Sequence, residues 1–141
     1  MSRSADTLLH LPVRLHGIQL GRPVDLLLDP SGRRALGFDV LCGDEIHRFL
    51  PFAASSISDD ELAVDSPLVL LENVQSFRRR ETRTLRGLLG LPVERRGQPA
   101  GALRDLVVDD DGKVQEVVVD AGGEVERLRP EDVAYGRGKA A

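Results

Sequence analysis

The chain has 141 residues, 41% of them hydrophobic and 30% charged, with a formal net charge of −4; this is the balance of a folded globular protein with room for one ordinary domain or two very small ones. No apolar run approaches the roughly 20 residues that a membrane-spanning helix needs. The opening Met1-Ser-Arg-Ser-Ala-Asp6 does not read as a secretory signal, so the expected location is the cytoplasm. A single cysteine, Cys42, rules out an intramolecular disulfide, and with only His10, His16 and His47 beside it no metal site or cofactor is expected.

The predicted elements are short strands. His10 and His16 flank the first, and Gly17 and Gly21 follow at a turn. Pro23 to Asp29 is an apolar run that ends in Asp29-Pro-Ser-Gly32, a hairpin turn with glycine where positive φ is needed. Leu36, Phe38 and Val40 then alternate as in a half-buried strand, Cys42-Gly43-Asp44 turns the chain, and Glu45 to Phe52 is again of strand length. Phe38, Phe49 and Phe52 are candidates for the core, and Glu61 to Val64 and Leu68 to Leu71 are further strand candidates. Ser76 to Gly90 reads either as a helix, with Leu85, Leu88 and Leu89 on one face and Gly90 as its stop, or as an extended tether. Beyond it come Gly97, Gly101, a strand over Arg104 to Asp109, the turn Asp109-Asp-Asp-Gly112, the β-branched Val117 to Val119, a turn at Gly122-Gly123, and a strand over Glu124 to Arg129.

The two halves repeat. A shift of 80 residues lays Leu11-Pro12-Val13 over Leu91-Pro92-Val93, Gly17 over Gly97, Gly21 over Gly101, Asp25-Leu26 over Asp105-Leu106, Asp29 over Asp109 and Gly32 over Gly112, giving nine identities in 22 positions. Glycine, proline and aspartate dominate these matches, so Gly17, Gly21, Asp25, Asp29, Gly32, Gly97, Gly101, Asp105, Asp109 and Gly112 are read as structural turn residues. The match resumes with a one-residue slip, Arg48-Phe-Leu-Pro51 over Arg127-Leu-Arg-Pro130, which implies one hairpin loop shorter by a residue.

With these motifs in hand, each half resembles the PRC-barrel family, through Leu88-Leu-Gly-Leu-Pro-Val93, Gly101-Ala-Leu-Arg-Asp-Leu106, Asp109-Asp-Asp-Gly112 and Val117 to Val119, and through Gly21-Arg-Pro-Val-Asp25, Asp29-Pro-Ser-Gly32 and Leu36 to Val40. The resemblance implies an all-β fold of two tandem small SH3-like barrels without catalytic residues, acting by binding other proteins. The expected layout is a first barrel over 8–74, an arginine-rich connector over 75–86, a second barrel over 87–136 and a flexible tail over 137–141. The second copy ends soon after Pro130, short of its expected last strand, and the gap invites closure in cis or by a second copy of the chain in a homodimer.

Charge supplies the alternative. Residues 1–74 carry 6 basic and 11 acidic side chains and residues 88–141 carry 8 and 11, whereas residues 75–87 carry 5 and 1. Arg78, Arg79, Arg80, Arg83 and Arg86 are therefore the candidate contact for an anionic partner, RNA or ribosome-associated. The leading expectation remains a non-enzymatic protein-binding or assembly module. The aspartates before Gly112 fail the EF-hand spacing, with Lys113 at the fifth position and Asp120 at the twelfth, and the five-residue spacing of Cys42 and His47 does not secure the base and orienting group that a thiolate nucleophile needs, so they read as a small residue near a turn and an exposed strand residue.

Overall fold

A computed structural model describes residues 2–71 and 82–136. The strands are β1 (Arg3–Ser4), β2 (Val13–Leu15), β3 (Ile18–Leu28), β4 (Ala35–Cys42), β5 (His47–Pro51), β6 (Ser56–Ile57), β7 (Leu62–Val64), β8 (Arg83–Thr84), β9 (Pro92–Arg95), β10 (Gln98–Val108), β11 (Val114–Ala121), β12 (Glu124–Leu128) and β13 (Val133–Tyr135). Two short helices, α1 (Ala5–Leu9) and α2 (Leu85–Leu88), follow β1 and β8. The protein is thus mostly β, as its strand-and-turn pattern predicts, and no helix among the described residues is long and apolar enough to cross a membrane.

The strands form two sheets. In the first repeat the order is β5-β4-β3-β2-β7-β6, and in the second it is β12-β11-β10-β9-β13. Strand pairing closes neither sheet into a ring among the described residues. The first repeat has the extra strand, β7, which runs parallel to β2 and separates it from β6; in the second, β13 pairs with β9 directly. Leu68 to Leu71 is not a strand: Pro67–Val69 forms a 3-10 turn, and Leu71 makes a single bridge to Phe49.

Each repeat gives its first strand to the other. β1 pairs with β10 through Arg3↔Val108 and Ser4↔Val107, while β8 pairs with β3 through Leu28↔Arg83 and Leu27↔Thr84, the same register displaced by one repeat length. At the hairpin tips the amide of Ala35 donates to the Gly112 carbonyl at 2.6 Å and that of Val114 donates to the Arg33 carbonyl at 2.9 Å, around an Arg34↔Lys113 bridge. A pseudo-twofold axis passes through that bridge. Phe38, Leu26 and Leu28 of one repeat and Leu106, Val117 and Val119 of the other lie in one continuous core with Leu8 and Leu85. Arg83 and Arg86, placed in a connector by charge alone, are the start of the second repeat's folded part, and the helix expected over 76–90 is realised only at Leu85–Leu88, before Gly90 at φ +85°. Residues 72–81, with Arg78, Arg79 and Arg80, and the tail 137–141 lie outside the described residues.

Asp25 and Asp105 are not turn residues. They sit in β3 and β10, where Asp25 Oδ1 accepts from its neighbour Leu26 N–H at 2.9 Å and from Arg86 N–H of α2 at 3.1 Å. Asp105 Oδ1 does the same for Leu106 N–H, at 2.8 Å, and for Asp6 N–H of α1, at 3.2 Å. Each helix thus has two caps: Ser4 Oγ or Thr84 Oγ1 from its own repeat, bonding Thr7 N–H or Gly87 N–H, and an aspartate from the other. Helices this short have almost no intrinsic stability, so caps and packing hold them. Asp25→Ala leaves two backbone donors without that acceptor and is expected to cost about 2 kcal/mol; Asp25→Asn, which keeps an acceptor oxygen, should lose less, as read by urea unfolding.

The other turn residues divide in two. Asp29 Oδ1 accepts from Arg33 N–H and Arg34 N–H, and Asp109 Oδ1 from Asp111 N–H and Lys113 N–H, closing the hairpins that Gly32 and Gly112 complete at φ +71° and +88°. His16-Gly17 and Arg96-Gly97 form two-residue turns with positive φ at both positions. Gly21 and Gly101, by contrast, lie inside β3 and β10, which run unbroken across the positions read as a turn. The expected slip is also doubled. Asp29 N–H closes on Arg34 O but Asp109 N–H on Lys113 O, and the next hairpin shortens again at Gly122-Gly123, so Leu50 opposite Phe38 corresponds to Leu128 opposite Val117.

Tyr135, on β13, covers the Gly32 turn and lies under the Arg83 guanidinium, whose Nε donates to the Pro30 carbonyl at 3.0 Å. Burial pushes its phenol up to about 12, against an opposing pull from Arg83. The folded state holds this proton more tightly than the unfolded chain, so the tyrosine's contribution to stability is complete below pH 10 and is lost as the pH rises towards 12. Because Tyr135 is the only tyrosine and there is no tryptophan, tyrosinate absorbance should report a midpoint near 12 directly; a midpoint near the ordinary value of about 10 would mean that the ring is solvated.

A candidate binding groove at the seam

A depression of about 820 Å³ lies where the two repeats meet. Its sides are related by the pseudo-twofold axis: α1 and α2 contribute Leu9 and Leu89, and β3 and β10 contribute Val24 and Arg104. Val107 and Val118 supply apolar lining from the second sheet.

Four arginines line it, Arg22, Arg86, Arg104 and Arg127. Two are engaged. Arg86 Nε donates to the Val24 carbonyl, and Arg127 meets Glu116 at 2.6 Å. Arg22 and Arg104 are exposed, and their side chains make no ion pair or hydrogen bond to any described residue. Several arginines outside the groove are paired: Arg3 reaches Asp110 at 3.0 Å, and Arg48 reaches Asp44 at 2.9 Å, holding that carboxyl down to about 2. Against the four cations stand Asp6 and Asp105, the latter already accepting two backbone N–H groups. The groove is therefore a positive depression on a chain of net charge −4.

Of the two described arginines singled out from the sequence, Arg86 lines this groove and Arg83 lies at the Gly32 turn. The groove gathers Arg22, Arg104 and Arg127 from separate strands, so no local charge run announces them. Cys42 is buried, and His47 turns Nδ1 to the buried Asp39 at 2.8 Å rather than to the thiol. His10, exposed, lies at the groove rim with Nδ1 on the Asp6 carbonyl. Among the described residues no group of three or more His, Cys, Asp or Glu is placed to hold a metal ion.

Searches among known proteins gave no match, neither to a family model nor to a curated protein.

Proposed function

We propose that the protein is a non-enzymatic, cytoplasmic binding or assembly module, built from two PRC-like barrels, that holds an acidic segment of a partner protein in the seam groove. The observation that carries this reading is the pair Arg22 and Arg104, exposed cations without protein partners beside an apolar lining. Guanidinium groups recognise carboxylates in planar, two-point fashion, and the valine lining suits the apolar side chains of a peptide. A long polyanion is a poorer fit. Nucleic acid draws its affinity from many cations spread along a surface, and here the rest of the chain is acidic. Arg83 and Arg86, for their part, bond the backbone of the first repeat.

A fluorescein-labelled octapeptide of alternating glutamate and leucine tests the reading by polarisation. It is expected to bind, and the double charge reversal Arg22→Glu, Arg104→Glu to weaken it at least tenfold while leaving the unfolding transition in place. Equal affinity for the double variant, or tighter and more steeply salt-dependent binding of a single-stranded RNA of the same length, would overturn it.

A further inference from the structure

The first repeat covers an edge that the second leaves open. After the 3-10 turn of the first repeat, Val69 and Leu70 pack against the core, and Leu71 exchanges two 2.8 Å hydrogen bonds with Phe49 on the outer side of β5. That bridge is antiparallel, so Leu70 comes opposite the buried Leu50. In the second repeat β12 holds the place of β5, with Arg127 for Phe49 and Leu128 for Leu50, and no described strand lies on its outer side.

Backbone groups of an antiparallel strand point alternately to its two neighbours. Since Arg127 holds the position of Phe49, its N–H and C=O, and by the period of two those of Val125, face the open edge, while Glu124, Glu126 and Leu128 bond to β11. Side chains alternate between the two faces in the same way. Leu128 faces the core opposite Val117, and Glu126 and Glu124 follow it on that face, opposite Val119 and Ala121. Both glutamates are exposed, and their side chains make no ion pair or hydrogen bond to any described residue. The other face carries Val125, 50% exposed, and Arg127, already paired with Glu116. The open edge therefore offers backbone donors and acceptors, two unmatched carboxylates on one face and an apolar side chain on the other.

We propose that β12 takes up an extended segment of a partner protein in which cationic and apolar residues alternate, added as an antiparallel strand. From its N-terminus the segment places an apolar residue opposite Leu128, as Leu70 stands opposite Leu50, then a small polar residue opposite Arg127, a cation opposite Glu126, an apolar residue opposite Val125 and a cation opposite Glu124. Backbone bonds to Arg127 and Val125 supply affinity, and the cations opposite the glutamates supply selection. This surface shares only Arg127 with the seam groove and selects the opposite charge, so it stands or falls apart from the acidic-segment reading. A second copy of β12 is a poor occupant: a twofold axis centred on Val125 sets Glu124 against Glu126, one centred on Glu126 sets it against itself, and one centred on Arg127 does the same for arginine. Like charges directly opposite disfavour these registers.

Amide hydrogen exchange on the ¹⁵N-labelled full chain, with and without a blocked heptapeptide of threonine, leucine, threonine, lysine, valine, lysine and threonine in that order, tests the proposal. At saturation the Val125 and Arg127 amides are expected to slow at least tenfold, with Glu126 and Leu128 little changed. The double charge reversal Glu124→Lys, Glu126→Lys should weaken the peptide at least tenfold; if that variant does not fold, exchange on the native chain decides. Absence of binding, binding that leaves Val125 and Arg127 unprotected, or equal affinity for the folded double variant would overturn the proposal and leave the groove reading in place. Slow exchange of the same two amides in the free protein would also overturn it, by showing the edge already covered.

Discussion

Leu106→Ala is expected to destabilise both repeats together. Leu106 is completely buried on β10 of the second repeat, in the same core cluster as Phe38 and Leu26 of the first. Truncating such a leucine costs about 3 kcal/mol in lost transfer energy and residual cavity, a large share of the roughly 5–15 kcal/mol that holds a domain of this size folded. Because β8 and α2 of the second repeat also complete β3 of the first, that cost cannot be confined to one half. Urea unfolding should remain a single transition moved to lower denaturant. Amide protection of Phe38 in β4 and of Val117 in β11 should fall by the same factor. A variant in which Phe38 keeps its native protection while Val117 loses it would show two independent cores.

Gly101→Ala is the second large effect. Gly101 has φ +132° inside β10, and a Cβ there would stand 2.4 Å from the Asp120 carbonyl oxygen and 3.2 Å from the Ala121 Cα. Both neighbours are backbone of β11, so neither yields by rotating a side chain. The strain of that φ and the overlap together are expected to cost at least about 3 kcal/mol. Gly97 provides the comparison: it also has positive φ, at +81°, but nothing lies within 4 Å of its Cβ position. Gly97→Ala should therefore cost about 1 kcal/mol, the conformational part alone. Near-equal losses for the two variants in thermal or urea unfolding would show that close approach is not what Gly101 provides.

These two glycines also show where the sequence is legible. The repeat itself, the Asp29 and Asp109 hairpin turns and the strands on either side of them follow from residues whose effect is local: a carboxylate bonding N–H groups a few positions on, and a glycine at positive φ. Gly21 and Gly101 misled because glycine marks a turn and a close backbone approach with the same letter; only the partner strand distinguishes them. Asp25 and Asp105 were visible as repeated residues, but the donors they satisfy lie on a helix of the other repeat, far away in sequence. The exchanged strands Arg3–Ser4 and Arg83–Thr84 are two residues long, too short for any periodicity to show. The groove was invisible for a related reason: Arg22, Arg104 and Arg127 stand singly among strand residues, and only the topology brings them together with Arg86.

The bridge Arg34↔Lys113 at the pseudo-twofold axis bears on how the molecule responds to dilution. A half-length chain with this pattern would lack the strand and the helix cap that its long central strand receives from the other repeat, and could obtain them only from a copy of itself. Its folding would then be second order, failing as its concentration fell below the dissociation constant of the pair. Placing both halves on one chain makes the exchange intramolecular, at an effective concentration that dilution cannot lower. The melting temperature of the intact protein should therefore be the same at nanomolar as at micromolar concentration, although its architecture is that of a dimer.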